Sequence, residues 1–318
     1  MESESKVFVA GHTGLIGSSV LRRLQNDGFE NLITARHAEL DLCKPDSVDQ
    51  FLELQRPDYV ILAAGKVGGI AANISSPADF ISTNLAIQLN VLRAAFRAGV
   101  KKLILFGSSC MYPRDCAQPM PEAALYSGHP EPTSMAYAVA KLAGVQLCLS
   151  YNQQMGEQRF IPVIPNSTYG PNDNFDPESA HVLSGLISRF HEAKQSSAEF
   201  VTLWGDGTPR REFIHADDVA DACQTLLSVD TSNLIFPMNI GSGSDVSIQE
   251  LAEKVVETVG YRGRIKWDTT KPEGTPRKLL DSSRVKKLGW RPKVDLDAGL
   301  QSSYRWYVDN QTDQGVTR

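Results

Sequence analysis

Residues 6–17 read KVFVAGHTGLIG. KVFVAG (6–11) is an apolar run of strand type, and LIGSSVLRRLQNDG (15–28) reads as a helix that Gly28 ends. Between them Gly11, Gly14 and Gly17 stand as GxxGxxG. Gly11 permits a tight turn, and Gly14 lets backbone approach a pyrophosphate. Gly17 allows the helix to pack close on the strand, while the helix N-terminus offers N–H donors to the anion. Alone, such a triplet is only a Gly-rich turn. On the first strand of a βαβ series it predicts a dinucleotide site.

That series is present. NLITAR (31–36), YVILAAG (59–65) and KKLILFGSS (101–109) read as strands, and SVDQFLELQ (47–55) and FISTNLAIQLNVLRAAFRAG (80–99) as the helices between them. Strands about 30 residues apart joined by helices imply crossovers and a buried parallel sheet. The fold class is α/β: a doubly wound parallel (Rossmann) sheet with a second, smaller mixed α/β substrate domain. The dinucleotide domain is expected over 1–170 and the substrate domain over 171–318. The two interleave, because LIFPMNIG (234–241) can return a strand to the main sheet, giving a return segment near 212–243. Within the second domain, 182–194 and 248–259 read as helices, EFVTLWG and GRIKW as strands, and Pro272 and Pro276 as a loop. The tail QTDQGVTR is expected to fray.

The chain has 318 residues, enough for a large buried core, and a net charge of −5, which excludes a basic nucleic-acid footprint. Anionic ligands must therefore meet local cations. The cysteines at 43, 110, 116, 148 and 223 are scattered without a CxxC pair, which points to reduced thiols in the cytoplasm and to no metal site. No apolar run approaches the roughly 18–20 residues that span a bilayer.

Two further stretches carry chemistry. The strand ending in KLILF runs into GSSCMYP (107–113), which sets two hydroxyls and a thiol at its mouth. In AYAVAKLAG, Tyr137 and Lys141 stand four apart and share a helix face. A nearby ammonium favours phenolate, so Lys141 is expected to draw the pKa of Tyr137 down and fit it for proton transfer at a carbonyl. For the cofactor, the second strand ends ITARHAELDL and offers Arg36 with no carboxylate before Glu39. Arg36 favours the 2′-phosphate of NADP over NAD, and Asp41 and Leu42 are placed to line the adenine.

Taken with VFVAGHTGLIG, ILAAGKVGGIAAN, YGPNDNF, REFIHADDVADA and KPEGTPRKLLD, these stretches resemble the extended short-chain dehydrogenase/reductases. More narrowly, nearly end to end, they resemble the GDP-L-fucose synthase family. The resemblance implies an NADPH-dependent enzyme that epimerises a GDP-4-keto-6-deoxyhexose at C3 and C5 and then reduces C4. Ser108 would hold the C4 oxygen, Tyr137 protonate it, Lys141 tune Tyr137 and hold the nicotinamide ribose, Cys110 act as carbon base and His181 as the opposing acid. A thiolate base needs a cationic or dipolar neighbour, so Cys110 is expected to have one. Cofactor contacts would extend to Thr13, Leu15, Ile16, Ala63, Ala64, Pro165, Ser167 and His181. Arg189, Arg211 and Lys278 would neutralise the diphosphate, and Trp204 would stack on guanine. His191 reads as a helix-surface residue and His215 as a loop-positioning one. A homodimer is also implied.

Three departures stand out. The family usually reads GHRG where this chain has Thr13, and carries its second-strand Arg one residue before Arg36. PTNLYGP has become PNSTYGP, which sets Ser167 at an Asn. NFHPENSHV has become NFDPESAHV, which sets Asp176 at a His and Ala180 at a Ser. The alternatives are a C4 reductase without epimerisation and a 4-epimerase that recycles NAD.

Overall fold

A computed structural model describes residues 1–177, 179–271 and 274–314. The chain opens with β1 (Val7–Ala10), α1 (Leu15–Asn26), β2 (Leu32–Ile33), α2 (Pro45–Gln55), β3 (Tyr59–Leu62), α3 (Ile70–Ser75), α4 (Pro77–Arg97) and β4 (Lys102–Phe106). The long helix α5 (Met135–Met155) follows, with β5 (Phe160–Pro165) and β6 (Ser167–Tyr169). Next come α6 (Val182–Gln195), β7 (Phe200–Trp204), β8 (Arg210–Arg211), β9 (Phe213–His215) and α7 (Ala216–Ser228). The last elements are β10 (Met238–Ile240), β11 (Val246–Ser247), α8 (Ile248–Val259), β12 (Arg264–Asp268), β13 (Arg277–Lys278), α9 (Ser283–Lys287) and α10 (Leu296–Gln314).

The main sheet has six strands in the order β10-β5-β4-β3-β1-β2, all parallel. Because strand side chains alternate, Val7 and Val9 enter one core with Val20 and Leu24 of α1 and Val219, Leu226 and Leu227 of α7. Phe8 and Ala10 enter the other, against Val48 and Leu52 of α2 and Val91 and Leu92 of α4. A sheet covered on both faces must be apolar at every position, as VFVA and KLILF nearly are. The order reverses between β1 and β3, so a crevice opens outside their carboxyl ends.

The return strand comes from 234–241: Met238, Asn239 and Ile240 pair with Val163, Ile164 and Pro165 of β5. A third core joins α6, α8 and α10 through Leu186, Phe190, Leu251, Val255 and Leu300. Smaller sheets, β12-β7 and β11-β8-β13, complete that side.

Some expectations need correction. NLITAR pairs only at Leu32 and Ile33, because the chain turns at Arg36: the Arg36 carbonyl accepts from Glu39 N and Leu40 N, and Arg36 N donates to the Glu39 carboxylate. KKLILFGSS ends as a strand at Phe106, and Ser109–Met111 is a 3₁₀ turn, so Cys110 is not in extended chain. His191 is buried rather than on the surface, with Nδ1 3.1 Å from the Tyr304 hydroxyl of α10. Residues 311–314 continue α10 instead of fraying; the rest of the tail, 315–318, and Pro272 lie outside the described residues. No helix among the described residues is long and apolar enough to cross a membrane, and no group of three or more His, Cys, Asp or Glu among them is arranged to hold a metal.

Candidate active site

A cleft of about 1580 Å³ runs across the carboxyl ends of β1, β3, β4 and β5 to the face made by α6, β7 and β8. Its walls include Gly11, Thr13, Gly14, Leu15, Ile16, Arg36, Asp41, Leu42, Ala63, Ala64, Ser108, Cys110, Tyr137, Lys141, Pro165, Ser167, His181, Arg189, Trp204, Arg211 and Lys278. Gly17, Asp176, His191 and His215, also singled out from sequence, are not part of its lining.

At one end the glycine turn makes a cradle. Gly11 has φ +81°, and a Cβ there would lie 2.7 Å from Ala64 N. A Cβ on Gly17 would lie 2.1 Å from Gly11 O, so Gly17 is a packing requirement beneath the turn and not a ligand contact. Around Gly14 the only near atom is Gly11 O at 3.5 Å. Gly14 also starts α1 with no side-chain cap, which leaves the first-turn N–H groups free to meet an anion. The cradle fits a dinucleotide pyrophosphate. Arg36 is exposed on the turn after β2, while Asp41 Oδ1 accepts from Cys43 N at 2.9 Å.

At the cleft's centre, extended Ser108 caps the 3₁₀ turn, its Oγ accepting from Cys110 N at 3.2 Å. This curl brings the hydroxyl and the thiol to one spot. Lys141 is buried, and its Nζ donates to the Phe106 carbonyl at 3.0 Å and lies 5.7 Å from the centre of the Tyr137 ring. Burial pulls the Lys141 pKa down to about 8. Tyr137 is edge-on to Phe80, with 6.1 Å between ring centres. Its phenol is pushed up, not down: burial and the neighbouring Cys110 outweigh the hydrogen bond with Ser108. The expectation that Lys141 depresses it does not hold, because burial of the phenol outweighs any pull from the ammonium, which donates to the Phe106 carbonyl. A phenol held protonated is the form that gives a proton to a reduced carbonyl.

Cys110 has its cationic neighbour. Lys278 Nζ donates to Cys110 Sγ at 3.5 Å from a position 168 residues away in the chain. Burial pushes the thiol up, but Lys278 and hydrogen bonds with Ser108 and Ser134 outweigh it, leaving the pKa below that of an ordinary cysteine. His181 stands immediately before α6 with no capping bond, and burial, then Lys278, lower its pKa, which makes its protonated form a stronger acid.

The distant end holds Arg189, whose Nη2 donates to Pro177 O at 3.4 Å, and Arg211, whose Nη1 donates to Arg210 O at 2.8 Å. Trp204 is 42% exposed there, with Lys271 Nζ 5.9 Å from the centre of its ring. His215 lies outside the cleft: Nδ1 accepts from Asp217 N at the start of α7, and Nε2 is 3.3 Å from Ser302 Oγ of α10. Sequence reading missed Ser134, Asn166 and Glu212. Glu212 is fully buried and accepts from Asn166 Nδ2 at 2.5 Å, Gly243 N at 2.6 Å and Leu280 N at 3.0 Å. Nothing short of the tertiary pairing of β8 with β13 would have singled it out.

Comparison with known proteins agrees with this geometry. Residues 7–241 match the model of the NAD dependent epimerase/dehydratase family. GDP-L-fucose synthase 1 of Arabidopsis thaliana is 53% identical over 309 residues, covering 97% of this chain and 95% of the relative. Among solved structures, a GDP-6-OMe-4-keto-L-xylo-heptose reductase from C. jejuni superposes with a TM-score of 0.93 at 36% identity, covering 98% of this chain and 99% of that one. A GDP-mannoheptose C4 reductase from Campylobacter jejuni with NADP bound gives 0.88 at 38% identity, covering 97% and 99%. The glycine cradle, the Ser–Tyr–Lys centre and the match over 7–241 agree, and the chain belongs to the NAD dependent epimerase/dehydratase family.

Proposed function

We propose that this chain is an NADPH-dependent 3,5-epimerase and 4-reductase of a GDP-4-keto-6-deoxyhexose, forming GDP-L-fucose or a close GDP-sugar. The observation that carries the reading is the junction at Ser108: its Oγ accepts from Cys110 N at 3.2 Å, and the hydroxyl lies near enough to Tyr137, the proton donor of a reductase, and to the thiol of Cys110, the carbon base of an epimerase, to lower the pKa of each. A proton alpha to a ketone becomes acidic only when the enolate oxygen is stabilised, and Ser108 with Tyr137 supplies donors for that oxygen. Cys110 takes the C–H proton as a thiolate, and His181 returns one from the opposite face. NADPH, when bound, supplies the hydride to C4, and Tyr137 then gives the C4 oxygen its proton. Lys141, 5.7 Å from the centre of the Tyr137 ring, would hold the nicotinamide ribose.

Gly11, Thr13, Gly14, Leu15 and Ile16 would hold the pyrophosphate, Arg36 the 2′-phosphate, Asp41, Leu42, Ala63 and Ala64 the adenosine, and Pro165 and Ser167 the nicotinamide side. Arg189 and Arg211 suit a diphosphate and Trp204 a guanine. The segment 1–170 with its return near 212–243 acts as the cofactor domain, and 171–318 as the sugar-nucleotide domain. Because Cys110 works as a free thiolate, the chain belongs in a reducing compartment, the cytoplasm. A homodimer through α4 and α5 is supported by Leu89 and Val139, 46% and 41% exposed on adjacent helices, and by α5 having no charge except buried Lys141. Leu89→Arg with Val139→Arg should then sediment as a monomer.

A second reading, C4 reduction without epimerisation, draws on Ser167, Asp176 and Ala180 beside the sugar end and on the two reductases of similar fold. One experiment tests the first reading. GDP-4-keto-6-deoxymannose is incubated with NADPH and the product sugar identified by NMR. GDP-L-fucose supports it, and a product reduced at C4 with unchanged C3 and C5 refutes it.

A further inference from the structure

Lys278 was read from sequence as a diphosphate ligand, but its ammonium is turned elsewhere. Its Nζ donates to Cys110 Sγ at 3.5 Å, and its strand is fixed from behind. Lys278 O accepts from Glu212 N at 3.0 Å and from Asn166 Nδ2 at 3.4 Å, and Leu280 N donates to the fully buried Glu212 carboxylate. The pairing of β13 with β8 sets Lys278 opposite Arg211, so this wall carries two cations, one donating to the sulfur. We propose that Lys278 is a positioning residue of the epimerase half-reaction, acting through Cys110 as the fixed cation that sets the charge and direction of its sulfur. This rests on the epimerase–reductase reading given above.

The chemistry of the position supports it. An ammonium hydrogen-bonded to sulfur favours the thiolate over the thiol, and only the thiolate removes a proton from carbon. Groups facing Cys110 from the other elements are Ser108 from its own turn, Ser134 before α5 and Tyr137 on α5. His181, before α6, also feels Lys278. Among these groups Lys278 is the fixed cation that hydrogen-bonds the sulfur. The arrangement also links the two half-reactions, because a charged sulfur beside Tyr137 keeps the phenol protonated and ready to donate. Lys278 therefore serves reduction indirectly through the same sulfur.

The test reads the thiol and not turnover. Full-length wild type, Lys278→Met, Lys278→Gln and Lys278→Arg are alkylated with iodoacetamide across pH, and the Cys110 peptide is followed by mass spectrometry. The wild-type midpoint should lie below that of an ordinary thiol, about 8.5. In Lys278→Met and Lys278→Gln it should rise by one unit or more, with the rate near neutral pH falling about tenfold per unit. Lys278→Arg should keep a lowered midpoint. NADPH affinity, expected to be unchanged, reports that each variant is folded; if one fails, the others carry the test. A midpoint that does not move in either neutral variant overturns the proposal. So does weakened GDP binding with an unmoved midpoint, which makes Lys278 a diphosphate ligand. If the midpoint shifts but the wild type exchanges no hydrogen at C3 or C5, the pairing stands and the epimerase reading fails.

Discussion

Replacing Lys141 by Met should make the protein more stable near neutral pH while stopping hydride transfer. Lys141 is 6% exposed, and burial holds its pKa at about 8 against 10.5 for a free lysine. The sign follows from linkage. This is a base whose folded pKa is depressed, so the unfolded chain binds the proton more tightly between those two values. Folding therefore carries the full cost of the buried charge below about pH 8, is relieved as pH rises, and is free of it above 10.5. At about pH 7 the gap corresponds to about 3 kcal/mol. Met fills a similar unbranched volume but leaves the Phe106 carbonyl without its donor, a loss of about 1 kcal/mol. The net gain is about 2 kcal/mol near pH 7, and it falls to about zero by pH 9.5 because the wild type sheds the penalty and Met cannot. Urea unfolding of both proteins at the two pH values measures it. A Lys141→Met protein that is less stable than wild type at neutral pH, or whose difference from wild type ignores pH, refutes the reasoning.

Tyr137→Phe removes the proton donor to C4 but leaves Ser108 in place for the enolate. Hydride transfer, followed by NADPH absorbance, should fall about 10²–10⁴-fold, and exchange at C3 and C5 should fall much less. Gly17→Ala puts a methyl 2.1 Å from Gly11 O, so backbone must shift at a cost of about 1–3 kcal/mol, seen as a lower thermal midpoint together with weaker NADPH binding. Gly14→Ala, with its nearest neighbour at 3.5 Å and no positive φ, should unfold like wild type yet bind NADPH more weakly, because its methyl occupies the anion's space.

The parallel sheet was legible because its signals are local. Runs such as VFVA and KLILF are buried on both faces, and the glycine turn lies within a few residues of β1. The return strand at 238–240 was legible for the same reason, a short apolar run ending in Gly241. The cleft residues were largely found by motif. What stayed hidden depends on which distant groups meet. Nothing in KPEGTPRKLLD tells that Lys278 turns to Cys110, since that contact depends on β13 pairing with β8. Tyr137 and Lys141 show the same limit. The i, i+4 spacing set them on one face, but burial around them, unseen in the sequence, reversed the expected direction of the Tyr137 shift. His191 went astray because a polar residue in a helical run looks exposed until α10 is laid against it. The 3₁₀ turn after Ser108 was invisible too, because SSC has no strong turn signal of its own.

The central claim is that one pocket performs both carbon acid–base chemistry and reduction. Incubating the protein with GDP-4-keto-6-deoxymannose in deuterated water without NADPH tests it most directly. Deuterium should enter C3 and C5 with wild type and Tyr137→Phe, and fail to enter with Cys110→Ser. Wild-type protein that reduces the sugar when NADPH is added, yet places no deuterium at either carbon, would contradict the account.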